Sequence, residues 1–401
     1  MTKELVITGM GAVTPVGIGM EAYWSGLLSG ESAIREIEGL DHSVIPIHHA
    51  AQVRGLNPKD YLPTRLVMDL EPYMQYAYIA ALEALEDSGL PDGGERTGLV
   101  MGTALHGVDI IARTQETFDK KGRGANPKLL TKSMGNITAA HLSIERGFRG
   151  PSMTVSTACS SGGDAITLAA LLLSSGMADA MLVLAGEAAI CPSVIQSLYK
   201  TGALSKEGES RPFDAGRSGF VMGEGGGALV LETRAHAEAR GARIRAGLLG
   251  YANNSDAYHP VTPSPDGKGA AECIRLALAR ADLSPESVDY INAHGTATHL
   301  GDIAEAAAIH EVFGSRDVAV SSTKGATGHM MGAGGITEVI ACVKAIETGL
   351  IPPCTGFETA DEECRLNLIT SDNRRDVRVA LSNAMGFGGQ NSCVIVGRTE
   401  D

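Results

Sequence analysis

The sequence predicts an α/β protein whose sheets are covered by helices. Short apolar runs typical of strands alternate with longer helical patterns along the chain. Residues 154–176 and 319–349 also resemble each other, since each segment has a strand-like run, a turn of small residues, glycines and an apolar helix closed by glycine. These two observations favour a duplicated α/β chain, and we divide it into halves at 1–250 and 251–401.

The individual elements follow from apolar patterning. A helix is predicted over Met74–Ser88 and ends at Gly89, and the apolar helices that start near residues 166 and 335 are predicted to be buried between layers. Strands are predicted, in chain order, at LVITGMGAV, TGLVMGTAL, AMLVLAGEAAI, GGALVLET, VDYINAHGT, VAVSST, VRVALSNAM and SCVIVG.

Composition excludes several classes of protein. The formal net charge of −14 argues against nonspecific nucleic-acid binding, which needs a basic surface. No run approaches the ~20 apolar residues of a membrane span, and the first residues lack the pattern of a signal peptide. Seven cysteines without a CxxC pair fit reduced thiols. We therefore expect a cytoplasmic protein that binds neither nucleic acid nor membrane.

Cys159 lies in STACSSGG, between a strand-like run and a predicted buried helix. The free N–H groups and the dipole at a helix start favour an anion, so we expect the pKa of this thiol to be lowered. A buried structural cysteine and a metal ligand are the alternatives, and this residue alone does not decide among them.

His294 lies in INAHGTATHLGD, in a polar turn after a predicted strand. A histidine in such a turn is a candidate acid, base or hydrogen-bond donor. His299 follows five residues later and is a possible metal partner. Metal coordination would need a third ligand at suitable spacing, however, and the sequence offers none.

Lys324 and His329 lie in SSTKGATGHMMGAGGITE, on a turn of small residues that leads into an apolar helix. A lysine in buried surroundings needs a carboxylate, and Glu338 is the candidate. A P-loop is excluded because Lys324 precedes the glycines.

Phe387 and Gly388 lie in NAMGFGGQN, between two strand-like runs. The turn is either a simple hairpin loop or a gate whose backbone N–H groups donate to an oxyanion. Taken together, one cysteine, two histidines and one lysine on glycine-rich turns suit thiolate attack on a thioester or acyl group.

With these segments the sequence resembles the β-ketoacyl-[acyl carrier protein] synthases of the elongating Cys-His-His type, the β-ketoacyl-ACP synthase II group among them. The resemblance covers essentially the whole chain and rests on VITGMGAVTPVG, STACSSG, SRPFDAGRSGFVMGEGGGALVLE, NAHGTATHLGD, SSTKGATGHMMGAGG and SNAMGFGGQN. It implies a thiolase-like fold with a duplicated five-layer αβαβα core.

The resemblance also implies a decarboxylative Claisen condensation in fatty-acid or type II polyketide biosynthesis. Cys159 would receive the acyl chain, while His294 and His329 would promote loss of CO₂ from malonyl-carrier protein. The N–H groups of Cys159 and Phe387 would form the oxyanion hole, with Gly388 in the gating loop.

Supporting residues follow from the same resemblance. Lys324 would maintain the electrostatics of the site, supported by Glu338 and Asp302. Thr296 and Thr298 match positions that hydrogen-bond the pantetheine arm. Leu105 and His106 stand where the family shapes the floor of the acyl pocket, and as bulky residues there they predict an altered chain length or a polar or polyene chain.

No resident cofactor and no catalytic metal are expected, because the phosphopantetheine arrives on the acyl carrier protein. In some relatives a structural monovalent cation lies near positions that match Asn292, Glu338, Ser382 and Asn383. The family's basic cluster for carrier docking is reduced here to Arg65. The other candidates for that role are Lys59, Lys206, Arg211 and Arg217.

The expected partners are the acyl carrier protein and a second subunit. That subunit is either an identical chain or a chain-length-factor-like protein in a heterodimer. A thiolase would need a second catalytic cysteine, and Cys393 is out of pattern for it. A noncatalytic subunit or a decarboxylase-only synthase would lack Cys159, which is present.

Overall fold

Strands and helices alternate in the computed structural model, which describes residues 3–122, 126–371 and 373–399. The strands are β1 Leu5–Thr14, β2 Gly17–Ile18, β3 Arg35–Glu36, β4 His49–Ala50, β5 Thr97–Gly102, β6 Ser152–Val155, β7 Ala180–Glu187, β8 Gly225–Thr233, β9 Ala246–Ser255, β10 Tyr290–Asn292, β11 Ala319–Ser321, β12 Asn367–Leu368, β13 Val379–Gly386 and β14 Gln390–Gly397. The helices are α1 Met20–Ser29, α2 Thr64–Asp69, α3 Pro72–Ser88, α4 Val108–Lys121, α5 Leu129–Ser133, α6 Ile137–Arg146, α7 Ser161–Ser174, α8 Pro192–Thr201, α9 Arg234–Ala239, α10 Lys268–Ala281, α11 His299–Phe313, α12 Lys324–Thr327 and α13 Gly334–Thr348.

The two halves of the chain repeat one sheet topology. In the first half the strand order is β1-β8-β7-β5-β6, and in the second it is β9-β14-β13-β10-β11. In each half the first two pairings are antiparallel and the last two are parallel. The internal duplication predicted from two similar segments is therefore present in five strands of each half, and β2 and β12 lie outside the repeat.

Helices cover both halves and also separate them. The apolar helices α7 and α13 contact each other and share one core with residues from both halves of the sheet. A second core lies between α3 and the first half, and a third lies between the helices α10 and α11 and the second half. This gives the five-layer αβαβα arrangement of a thiolase-like fold, as predicted.

The two halves meet through a short pairing of first strands. Leu5–Ile7 of β1 pairs antiparallel with Ala246–Leu248 of β9, which makes one twelve-stranded sheet within the described residues. Residue 250 lies inside β9, a strand that the sequence did not predict, and the domain division at that residue stays a prediction. None of the helices in the described ranges is long and apolar enough to span a membrane.

Candidate active site

The carboxyl ends of the parallel strands bring the candidate residues to one place. In the first half, β6 leads toward Cys159 and β7 ends at Glu187. In the second half, β10 leads to His294 and β11 leads to Lys324. Residues that are far apart in the chain converge here because the C-terminal ends of parallel strands lie at one edge of a sheet.

Cys159, His294 and His329 form the centre of the site. His329 Nε2 lies 2.9 Å from Cys159 Sγ, and the rings of His294 and His329 meet edge to face with 5.4 Å between their centroids. All three residues are buried. The structure thus brings together the three residues predicted to be catalytic.

Backbone donors surround the thiol. Cys159 lies two residues before the first residue of α7, and Ala158 before it has a φ of 51°, which is uncommon for a residue with a Cβ. The N–H of Phe387, in the turn between β13 and β14, donates to Cys159 Sγ. The glycine-rich segment is therefore a hairpin turn, and it also directs a backbone donor at the thiol.

Burial controls the protonation of the site. It raises the pKa of the Cys159 thiol to about 12, against the opposing effects of the Lys324 charge and the Phe387 N–H. This corrects the sequence-based expectation of a lowered pKa, because removal from water outweighs the helix start. Burial, followed by the charge of Lys324, lowers the pKa of both His294 and His329 well below the ordinary value. The free protein at neutral pH therefore holds a thiol beside two neutral imidazoles.

Lys324 and Glu338 form the predicted buried pair. The ammonium of Lys324, in the short helix α12, donates to a carboxylate oxygen of Glu338 on α13. Both side chains are nearly inaccessible to solvent. A buried charge without its partner is strongly destabilising, so each of these residues requires the other.

Glu305 was not identified from the sequence. Its carboxylate accepts the N–H groups of His294 and Gly295, each at 2.7 Å, and it lies on α11 three residues after Asp302. The spacing from Asp302 is the signal that was available, because residues three apart share a helix face.

Asp302 holds the loop that carries the two threonines. It accepts the N–H of Phe213 at 2.7 Å and that of Ala297 at 3.1 Å, and burial raises its pKa to about 7. Thr296 and Thr298 lie on either side of Ala297, with their hydroxyl oxygens 3.1 Å apart. Asp302 thus fixes the backbone between the two predicted pantetheine contacts.

A cavity of about 670 Å³ opens onto the three central residues. Leu105 and Met331 line it near Cys159, and Thr296, Thr298 and Phe387 line it elsewhere. His106 is not among the lining residues. Its ring approaches Gly135 instead, where a Cβ would lie 2.3 Å from its Nδ1.

Two features bear on metal ions. One ligand atom each from Cys159, His294 and His329 lies within 4.8 Å of the others, and zinc binds to sets of cysteine and histidine of this kind. The nearby positive charge of Lys324, however, opposes the binding of a dication. The buried Oδ1 of Asn292 accepts no hydrogen bond from the described residues. An oxygen of this kind fits the monovalent cation site suggested by the sequence.

Known protein families match both halves of the chain. The family "Beta-ketoacyl synthase, N-terminal domain" matches residues 2–237, and "Beta-ketoacyl synthase, C-terminal domain" matches residues 245–358. The 3-oxoacyl-[acyl-carrier-protein] synthase 2 of Vibrio harveyi is 36% identical over 98% of each chain. The chloroplastic 3-oxoacyl-[acyl-carrier-protein] synthase I of Arabidopsis thaliana is 38% identical over 98% of this chain and 86% of its own.

Solved structures of ketosynthases are also similar to this chain over its full length. The ishigamide ketosynthase/chain length factor superposes with a TM-score of 0.94 at 33% identity and covers 100% of both chains. The AntDE ketosynthase, solved with its type II acyl-carrier protein AntF and a bound hexaketide, superposes with a TM-score of 0.90 at 31% identity over the full length of both chains.

Proposed function

The chain belongs to the β-ketoacyl synthase family, and on this premise we propose how its residues divide the work of the reaction. It is an acyltransferase of fatty-acid or polyketide biosynthesis. Its reaction is a decarboxylative condensation of an acyl thioester with malonyl-acyl carrier protein, which yields a 3-oxoacyl-carrier protein two carbons longer. The observation that carries the residue roles is the contact between His329 Nε2 and Cys159 Sγ beside His294.

In the first half-reaction Cys159 takes the acyl chain. Because its thiol is protonated at neutral pH, a base must accept the proton, and His329 Nε2 is within reach at 2.9 Å. Sγ attacks the thioester carbonyl, and the pantetheine thiol leaves with that proton. The N–H groups of Cys159 and Phe387 donate to the oxyanion of the tetrahedral intermediate.

In the second half-reaction His294 and His329 act on the malonyl thioester. Neutral imidazoles donate N–H hydrogen bonds to its carbonyl oxygen, where enolate charge develops as CO₂ leaves. The enolate carbon then attacks the acyl carbonyl on Cys159, and Sγ leaves as a thiolate that takes up a proton from solvent to restore the thiol. Thr296 and Thr298 bind the pantetheine arm, and burial together with the charge of Lys324 keeps both imidazoles neutral.

The acyl end of the cavity favours a polar or unsaturated chain. Ser193 and Ser197, four residues apart on α8, line the cavity together with Leu105 and Leu198. Hydroxyl groups offer nothing to a saturated chain but can hydrogen-bond a polyketide oxygen. The likeness to the ishigamide and AntDE ketosynthases supports the polyketide side of the function.

The proposed enzyme needs no resident organic cofactor, but it has a candidate site for a monovalent cation. The phosphopantetheine arrives on the acyl carrier protein, so no resident organic cofactor is proposed. A monovalent cation would bind near Asn292, Glu338, Ser382 and Asn383 in a structural role. Withdrawal of potassium and sodium should then lower the melting temperature of the wild type more than that of Asn292→Ala.

The second subunit would cover an apolar face around the sheet edge. Strand β6 is the terminal strand of the described sheet, and Met153 on it is exposed. Exposed apolar side chains also occur on α4, on α5 and directly after α5, namely Ile111, Phe118, Leu130 and Met134, and the two helices contact each other. Light scattering should show a dimer, and Ile111→Glu should dissociate it while Leu276→Glu on α10 should not.

The reaction is tested with the purified chain, malonyl-carrier protein and a panel of acyl-carrier proteins, with products measured by intact mass. Acylation of Cys159 and a 3-oxo product two carbons longer are expected, and both should be absent in Cys159→Ala. Saturated, polar and polyene donors in the panel distinguish fatty-acid from polyketide roles. Equal turnover of saturated C6 to C14 donors would contradict a polar or unsaturated preference.

A heterodimer is the second candidate, favoured by the likeness to the ishigamide ketosynthase/chain length factor. If a folded chain is acylated by no donor alone but becomes acylated when a chain-length-factor-like protein is added, the heterodimer is supported. Failure in both settings would refute the proposed roles.

A further inference from the structure

Glu187 is a fully buried carboxylate that the proposed mechanism leaves without a role. It ends β7, its relative exposure is 0%, and no ion pair to it occurs within the described residues. Three backbone N–H groups contact it instead, from Ala104 at 2.8 Å, Leu105 at 3.2 Å and Gly332 at 3.3 Å. Burial of a carboxylate is costly, so these three donors are the compensation that the fold provides.

The three donors belong to two segments that meet only in the folded chain. Ala104 and Leu105 follow β5, and Gly332 follows the turn that carries His329. A Cβ on Gly332 would lie 2.7 Å from the Ala104 nitrogen and 3.0 Å from a Glu187 oxygen. The segment at Ala104 and the turn at Gly332 therefore touch directly. Only glycine fits at position 332, between Glu187 and the Ala104 segment.

Both segments contain a residue with unfavourable backbone geometry. His106 has a φ of 51° and Met331 a φ of 47°, in the left-handed region that residues with a Cβ rarely occupy. Such residues persist only when surrounding contacts fix them. The hydrogen bonds of Glu187 reach the residue next to each of them, Leu105 before His106 and Gly332 after Met331.

The same two segments form the acyl end of the cavity. Leu105 and Met331 line it, and Met331 is two residues from His329, whose Nε2 contacts Cys159 Sγ. One carboxylate thus ties a wall of the acyl cavity to the turn that carries a proposed catalytic histidine.

We propose that Glu187 is a positioning residue that sets the length of acyl chain accepted at Cys159, by holding the wall at Leu105 against the turn at Met331. This inference rests on the proposed function, because it takes the cavity as the acyl site. Glu187 makes no hydrogen bond to the thiol or the imidazoles, and its three hydrogen bonds are to backbone N–H groups. Its charge also contributes, after burial, to the raised pKa of Cys159.

Glu187→Gln is the first test, because the amide keeps the shape but has only one accepting oxygen, while its NH₂ group cannot accept an N–H. The cavity wall at Leu105 should then be held less firmly. The ratio of kcat/KM for C14 over C6 acyl donors should rise by roughly tenfold, which is the size of effect that a methylene-sized change in an apolar pocket has on kcat/KM. Glu83→Gln is the matched control. Glu83 accepts the N–H groups of Ala12 and Met20 and lies outside the cavity, so the ratio should not change.

A second measurement separates positioning from general destabilisation. Amide hydrogen exchange of 103–106 and 331–333 should accelerate in Glu187→Gln and not in Glu83→Gln.

If Glu187→Gln does not fold, Glu187→Asp serves in its place, because it keeps the carboxyl group but is one methylene too short to reach the donors. A folded variant with the wild-type chain-length ratio overturns the inference. A wild type that elongates no donor, either alone or with a chain-length-factor-like protein, refutes the proposed function instead.

Discussion

At the residue scale, the site shows which chemical details a sequence can predict. The identities and convergence of Cys159, His294 and His329 followed from motif and position, because glycine-rich turns after strands mark the ends of a sheet. The protonation state of Cys159 could not be predicted from the sequence. The sequence shows that a helix starts nearby, but not the depth of burial that raises the pKa of the thiol to about 12.

Glu187 and Glu305 show a second limit at this scale. Each accepts hydrogen bonds mainly from backbone N–H groups, and Glu305 also accepts one from the side-chain amide of Asn383. Contacts to backbone N–H groups carry no sequence pattern of their own, because any residue except proline supplies an N–H. The spacing of Glu305 from Asp302 was the one signal available, and Glu187 had no comparable signal. His106 was predicted at the pocket floor, but a left-handed backbone directs its ring toward Gly135.

Alkylation of Cys159 should report its raised pKa. The rate of reaction with iodoacetamide should increase about tenfold per pH unit from pH 7 to pH 10, because the thiolate fraction grows in that proportion below the pKa. No plateau is expected below pH 10. Peptide mass spectrometry measures the rate, with Cys159→Ala as the control for the other six buried thiols. A plateau below pH 8 would show that the thiolate is stabilised after all.

Removal of the Lys324 charge should change the acidic limb of the pH profile. Burial and, after it, the charge of Lys324 lower the pKa of His294 and His329, so Lys324→Met should raise both pKa values in part. The imidazoles would then become protonated at higher pH, and the acidic limb of kcat/KM should move toward neutral pH. Lys324→Met/Glu338→Gln is the companion variant, because it leaves no unpaired buried charge. An unmoved limb in that folded double variant would exclude the electrostatic role.

At the scale of elements, apolar patterning predicted most of the secondary structure. The helix α3 ends at Gly89 and α13 at Gly349, as their glycines indicated, and the strands β1, β5, β7, β8, β13 and β14 lie within or overlap the predicted runs. Strand β9 was missed because its sequence, AGLLGYANNS, mixes glycine and asparagine with apolar residues. Its neighbours β1 and β14 supply the pairing that its propensity lacks.

The contact between α7 and α13 should be sensitive to a single methyl group. A Cβ on Gly335 would lie 2.6 Å from the Gly163 nitrogen, so the two helices pack backbone to backbone. Gly335→Ala should lower the free energy of unfolding by about 1–3 kcal/mol through overpacking. Gly334→Ala is the neighbouring control, because its Cβ would meet only the Glu338 side chain, whose nearest atom is Oε1 at 3.5 Å, and a change below about 0.5 kcal/mol is expected. Urea denaturation measures both, and equal effects would contradict the close approach of the helices.

At the scale of the whole molecule, the duplication was predictable but the joining of its halves was not. Two similar segments were enough to indicate a repeat. The pairing of β1 with β9 involves only three residues of each strand, and nothing in either run identifies the other as its partner. Long-range pairing of this kind depends on how the shared core between α7 and α13 closes.

Carrier docking is also a property of the whole molecule, and its charge predicts weak electrostatic steering. The net charge of −14 repels an acidic carrier protein, and two of the cations suggested for docking are already engaged. Arg217 is buried against Asp302 and Asp361, which corrects its assignment to a docking surface, and Arg211 pairs with Glu209 and Glu358.

Apolar contacts should therefore supply much of the affinity for the acyl carrier protein. Leu300, which is 54% exposed, lines the cavity together with Val261 and Phe387. The KM for an acyl-carrier substrate should change by less than roughly threefold between 50 and 300 mM NaCl, because few opposite charges across the interface are screened. Leu300→Asp should raise that KM strongly, whereas Leu276→Asp, on α10 and 44% exposed, should not. A steep rise of KM with salt in the wild type would instead show that the remaining cations, Arg65, Lys59 and Lys206, bind the carrier through charge.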